Sequence, residues 1–276
     1  MANGIGSPSR TRLRDCSPLW TLETVRCGAP PSTPGSGLAS FEACASRAFI
    51  DPRRALRGRP VLDLGFLFDE VIARRAPLSA AGLAGGPEFR AVAVSAERAE
   101  LRVLRDFASP AEVLAAARAS CSIPVLAGAP PEFRGEAMVD GGLLESIPYR
   151  TALREGATLV LVLRSRAADY RASREGRLVE QMVGRSHPAL VPLLHSCGAR
   201  YNRDAAELEG LARRPPLLPL VRQVAVPAGS RLVPRLSTDR SRIAGSIRLG
   251  AHAMASTLYG AGATRFWQPF PELLAA

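Results

Sequence analysis

Leu159 to Leu163 reads Leu-Val-Leu-Val-Leu, the longest run of strand-forming apolar residues in this 276-residue chain. Five such residues between Thr158 and Arg164 give the pattern of a strand buried on both faces in a parallel sheet. The run is far too short to cross a membrane, and no other window approaches the ~18 apolar residues a spanning helix needs. Parallel strands need crossover connections, so helices should alternate with strands around it.

That alternation can be read along the chain. Phe66 to Arg75 places Phe66, Leu67, Val71 and the stem of Arg74 on one helical stripe, opposite Asp69 and Glu70. Ala91–Val94 and Leu101–Leu104 read as short strands with a polar connection at 97–100. Ser109-Pro110-Ala111-Glu112 is a capping box with proline at the first helical position, predicting a helix from 110 to 119. Glu136 to Val139 leads into the turn Asp140-Gly141-Gly142. Helices are expected at 149–155, 181–194 and 201–211, the last two separated by Cys197-Gly198. A strand is expected at Val224–Val226. Asp239 should cap a final helix with Ile243, Ile247, Gly250, Met254 and Leu258 on one face. Gly82 to Gly86 reads as a turn, since proline follows where a phosphate loop needs a helix. The fold class is α/β, a layered domain over 45–260 with a tail at 261–276.

Residues 1–44 have a different texture. Proline, glycine and serine fill 16 of these 44 positions, and the apolar residues follow neither helical nor strand period. Composition predicts a disordered arm. Early arginines break any apolar signal segment, which makes the cytoplasm the expected compartment.

The formal charge is +11, and every one of the 36 basic residues is arginine. Residues 211–250 carry eight arginines (213, 214, 222, 231, 235, 240, 242 and 248) against Asp239 alone. No aromatic residue lies there to stack on bases, so nucleic acid is not expected as a partner. Phosphates of other kinds, including anionic lipid headgroups, remain open, beside the plainer reading of a solvated arginine face. The five cysteines show no metal spacing, and an odd count predicts reduced thiols. His187, His195 and His252 have no metal-ligand spacing and read as surface or packing residues. No metal or organic cofactor is implied.

Two segments taken together carry a family resemblance. Ala119-Ser120-Cys121-Ser122-Ile123-Pro124, with Phe133, precedes Met138-Val139-Asp140-Gly141-Gly142-Leu143-Leu144-Glu145-Ser146-Ile147-Pro148. This pairing resembles the patatin-like phospholipases, in particular bacterial, actinobacterial-type members. Phe49 to Arg54, Arg57 to Asp63, and Gly156-Ala157-Thr158 ahead of Leu159 agree with it. The resemblance runs from about 45 to 260. It implies a patatin-like α/β/α fold with a mostly parallel sheet, and hydrolysis of lipid acyl esters at a membrane surface by a Ser–Asp dyad. Asp140 matches the dyad aspartate, a base and then an acid, and Gly141 and Gly142 let its loop approach the serine.

The matching serine is not found. No glycine begins a Gly-x-Ser-x-Gly, and Gly184-Arg185-Ser186-His187-Pro188 and Gly35-Ser36-Gly37 fall short of it. A glycine-rich oxyanion loop is also missing. Both should precede Phe49, where the aperiodic segment stands. The resemblance therefore implies a domain incomplete on its N-terminal side, inactive as this chain, with an exposed sheet edge that favours self-association. A shifted reading frame and a natural arm on a pseudoenzyme both fit. Competing readings are an unrecognised serine, such as Ser7 or Ser36, as nucleophile, and a non-catalytic binder of anionic surfaces through 211–250.

Overall fold

The computed structural model describes residues 42–75, 77–78, 86–173, 176–213 and 219–260. Most of the N-terminal arm with Ser7 and Ser36, most of the Gly82–Gly86 turn, Arg214, and the 261–276 tail lie outside the described residues.

Among the described residues, six strands form two sheets. In the first, β1 (Ala91–Ser95), β2 (Leu101–Leu104), β3 (Glu132–Phe133) and β4 (Glu136–Asp140) lie in the order β2-β1-β4-β3, with every neighbouring pair antiparallel. The second pairs β5 (Leu159–Ala167) with β6 (Leu220–Val226), parallel from Leu159↔Leu220 onward. The α/β class holds, and the expected parallel pairing is found at β5–β6. The connections account for the antiparallel majority. Residues 96–100 and 134–135 are too short to be anything but hairpin turns, whereas two helices separate β5 from β6.

Among the described residues, the longer α-helices that flank these sheets are α1 (Pro110–Ser120), α2 (Gly142–Glu145), α3 (Tyr149–Arg154), α4 (Arg177–Ser186), α5 (Val191–Ala212) and α6 (Arg240–Tyr259). α1 packs on β1 and β4, and both α5 and α6 pack against β6. The β5–β6 pair thus lies between two helices, which makes this part an α/β/α sandwich. Val160, Val162 and Val221 meet Ala205 and Leu208 of α5 in one core, while Val224 and Val226 face the α6 side. A second core joins Phe49, Leu62, Leu64 and Phe68 to Ala117 of α1. Fully burying each such large apolar side chain is worth roughly 1.5–3 kcal/mol.

The helix signals acted as expected at two starts. Ser109 Oγ accepts the Glu112 N–H at 3.2 Å, while Glu112 reaches back one residue further than a strict capping box, to the Ala108 N–H at 2.7 Å. Asp239 Oδ1 accepts the Arg242 N–H at 3.0 Å and starts α6.

Three expectations need correction. Phe66–Ile72 is a π-helix continued by one α turn to Arg75, so its wider winding buries Phe68, Val71 and Ile72 and leaves Arg74 exposed. The helix break expected at Cys197-Gly198 falls instead at His187-Pro188, and α5 runs straight through Gly198. Gly198 is there for contact: a Cβ would lie 2.6 Å from the Ser173 carbonyl oxygen. Finally, β5 is not buried on both faces. Its exposure alternates, and Leu159 is 41% exposed.

Candidate functional site

Asp140 is the last residue of β4, where the strand gives way to the Gly141-Gly142 turn and α2. Its main-chain N–H donates to the Ser122 carbonyl at 3.0 Å, so the two motif segments, 119–124 and 138–148, are joined by a backbone hydrogen bond. Ser120, at the end of α1, donates its buried hydroxyl to the Val92 carbonyl at 2.6 Å. Gly141 packs against that same carbonyl, and a Cβ there would lie 2.3 Å from the oxygen. Gly142 donates its N–H to Asp140 Oδ1 at 2.6 Å, and a Cβ on it would come within 2.9 Å of that oxygen. Gly141 is therefore required by the close approach of the β1 backbone, while a side chain at 142 would press on the Asp140 carboxylate.

Asp140 lines a cavity of about 390 Å³ whose walls include Phe49, Leu62 and Leu64 on the apolar side, and Ser120, Ser146 and Arg164 among its polar groups. Burial pushes the Asp140 carboxyl up from 3.8 to about 6, against the opposing pull of the Gly142 N–H and the Arg235 charge. Oδ2 has no hydrogen-bond donor among the described residues. A carboxyl with its titration near neutrality and an uncommitted oxygen is chemically able to exchange a proton with a bound hydroxyl.

The nearby nucleophile candidates are constrained. The Cys121 thiol is pushed well up by burial, then by the Asp140 charge and Cys44, which disfavours the thiolate. Ser120 is committed to Val92, and Ser146 donates to the Gly142 carbonyl at 2.6 Å. Ser165 also lines the cavity. No hydrogen bond from a serine to the Asp140 carboxylate is found among the described residues.

The histidines stay apart from this cavity. His195 Nε2 lies 2.8 Å from Glu180, tying α5 to α4, His252 is exposed on α6, and His187 ends α4. Among the described residues no group of histidine, cysteine, aspartate and glutamate could hold a metal ion. The arginine-rich segment is no single patch of chain: Arg213 follows α5, Arg222 is in β6, Arg231 and Arg235 are in the loop, and Arg240, Arg242 and Arg248 are on α6. Arg240 pairs with Glu42 and Arg242 with Asp239.

Sequence reasoning overlooked Arg164, a buried arginine on the cavity wall. The signal was present, because period two puts residue 164 on the same strand face as Val160 and Val162. No helix among the described residues is long and apolar enough to cross a membrane.

Residues 49–153 match the family model of the patatin-like phospholipases, a stretch that includes both motif segments and Asp140. No curated protein matches the chain.

Proposed function

We propose that this chain carries the aspartate half of a patatin-like lipid acyl hydrolase site, with Asp140 as the proton-transfer group. The observation that carries this is the Asp140 carboxyl itself, on a cavity wall at a strand end, with Oδ1 held by Gly142 and its pKa raised to about 6. In a Ser–Asp dyad, the aspartate removes the serine proton as the Oγ–acyl carbon bond forms. It returns that proton to the leaving alcohol as the ester C–O bond breaks, and a water molecule then repeats the sequence on the acyl-enzyme.

Hydrolysis by that route needs a serine at an elbow beside Asp140, and no Gly-x-Ser-x-Gly in the chain supplies one. The expectation is a chain that presents a lipid-type cavity at a membrane surface and leaves esters uncleaved. The domain is then incomplete on the N-terminal side of Phe49. The test combines p-nitrophenyl butyrate turnover with labelling by a fluorophosphonate probe, on the native chain and on Asp140→Asn. Background turnover and no labelling in both agree with the proposal. Turnover that disappears in Asp140→Asn would show a working nucleophile and overturn the inactive assignment.

A second reading rests on a different observation. Arg213, Arg231, Arg235 and Arg248 are exposed and have no carboxylate partner within ion-pair distance among the described residues. Such arginines suit a non-catalytic binder of anionic lipid surfaces. Salt-sensitive binding to phosphatidylserine-containing vesicles, lost in Arg213→Gln with Arg231→Gln, supports it. No binding at low salt dismisses it.

A further inference from the structure

A second cavity, of about 400 Å³, shares Leu62 and Leu64 with the Asp140 cavity and none of its other lining residues. The two residues that follow α1 are divided between these spaces: Cys121 lines the Asp140 cavity and Ser122 the second.

The polar wall of the second cavity is basic, with Arg54, Arg59 and Arg118 set against one carboxylate, Asp63. The three arginines differ in which donors they still hold. Arg54 is fully engaged, because it donates to the main-chain carbonyls of Arg47, Ala48 and Phe49 and lies 3.8 Å from Asp63. Asp63 in turn accepts the Phe66 N–H at 2.9 Å. Arg118 places one terminal nitrogen on Asp69 at 2.9 Å, and its Nε and other terminal nitrogen make no hydrogen bond among the described residues. Arg59 is exposed, and its side chain makes neither a hydrogen bond nor an ion pair among the described residues.

Ser122 is the buried member of this wall. It is 2% exposed, yet its hydroxyl has no hydrogen-bond partner among the described residues. Its main chain is satisfied, the N–H by the Ala119 carbonyl at 3.2 Å and the carbonyl by the Asp140 N–H at 3.0 Å. An unpartnered buried hydroxyl costs about 1–3 kcal/mol, so one that shares a wall with two arginines holding free donors fits an anionic acceptor. A phosphate group brings three oxygens and up to two negative charges, enough to meet the hydroxyl and both guanidiniums together. The other lining residues, Pro60, Ala127, Ala129 and Pro131 with the two leucines, give an apolar surface for an organic body.

We infer that this cavity binds a phosphate group, free or as the monoester of a small alcohol, with Ser122, Arg118 and Arg59 as donors. This goes beyond the hydrolase proposal, because Asp140 and its cavity take no part, and either reading can fail alone.

Calorimetric titration of the full chain at low ionic strength tests it with inorganic phosphate, phenyl phosphate, benzoate and phenol. The better of the two phosphates should bind at least about tenfold more tightly than benzoate and than phenol. Tighter binding of phenyl phosphate identifies a monoester source, and equal or tighter binding of inorganic phosphate identifies the free ion. Ser122→Ala should weaken that phosphate by about tenfold, as loss of a hydrogen bond to a charged group does. The same variant should melt no lower than the native chain without ligand, since the hydroxyl it removes has no partner. A merely structural serine would give the reverse, a lower melt and an unchanged affinity. Arg59→Gln should weaken binding and reduce its salt dependence. Asp140→Asn should bind phosphate as the native chain does. No phosphate binding at millimolar concentration, benzoate binding as tightly as phosphate, an affinity that Ser122→Ala or Arg59→Gln leaves unchanged, or a loss in Asp140→Asn would each overturn the inference.

Discussion

The Ser120 hydroxyl donates to the Val92 carbonyl across 2.6 Å, and that carbonyl is the oxygen against which Gly141 packs. One backbone group of β1 thus fixes both the end of α1 and the start of the turn that follows Asp140. This explains in physical terms why the two motif segments belong together although thirteen residues separate them.

Gly141→Ala tests that arrangement. The added Cβ would meet backbone at 2.3 Å, and β1 is paired on both sides and cannot retreat. A loss of about 3 kcal/mol is expected, at the upper end of overpacking costs. Gly245→Ala is the control, because it sits inside α6 with nothing within 4 Å and should stabilise by up to ~1 kcal/mol. Urea melts of the two variants should therefore shift in opposite directions.

Asp140 makes a pH-dependent prediction. Its carboxyl titrates near 6 in the folded chain and near 3.8 when unfolded, so the folded state holds the proton more tightly. The stabilisation this gives is complete below 3.8 and is lost as pH rises through 6; the full difference is roughly 3 kcal/mol at most. Asp140→Asn keeps an acceptor for the Gly142 N–H and removes the charge. Its melting temperature should exceed that of the native chain at pH 8, and the gap should close by pH 4. A constant gap across that range would refute the assignment.

Glu145 is a buried carboxylate held by three donors. It accepts from the Thr151 N–H at 2.9 Å, from the Thr151 hydroxyl, and from Arg154 at 3.2 Å. Glu145→Ala leaves the buried Thr151 donors unpaired and should cost about 2 kcal/mol. The measurement is the urea midpoint at unchanged slope. Because Glu145 also lines the Asp140 cavity, ligand binding should be compared at a temperature where both proteins are folded.

Among the described residues β5 pairs in its sheet only with β6, which leaves its other edge without a strand partner among them. Unpaired edges favour association. Size-exclusion chromatography with light scattering should report species larger than 29.3 kDa at micromolar concentration. A monomer with a sharp cooperative melt would count against this expectation.

What could be read from the sequence followed local chemistry. Ser109 and Asp239 announced their helices because a capping hydroxyl or carboxylate acts within three residues. The strand end and turn at Asp140-Gly141-Gly142 were legible because glycines punctuate the chain where the β1 backbone comes close. The π-helix was hidden, since Phe66–Ile72 satisfies the ordinary helical period; Phe68 and Ile72 share one core with Leu62, Leu64 and Ala117. Arg164 was legible in its strand face, which period two gives, and not in its partners. Its burial depends on Tyr201 and Gln223, which reach it from 37 and 59 residues away.

Strand order along the chain also sets a timetable for folding. The four-stranded sheet closes within residues 91–140 through two hairpins, whereas β6 finds β5 only after the chain between them has wound α4 and α5. Contacts of long sequence separation carry the larger loop-closure penalty and form late. The β5–β6 pairing is thus expected to be completed after the Asp140 turn. In hydrogen exchange, the Leu220–Val226 amides should open at lower free energy than those of Ala91–Ser95.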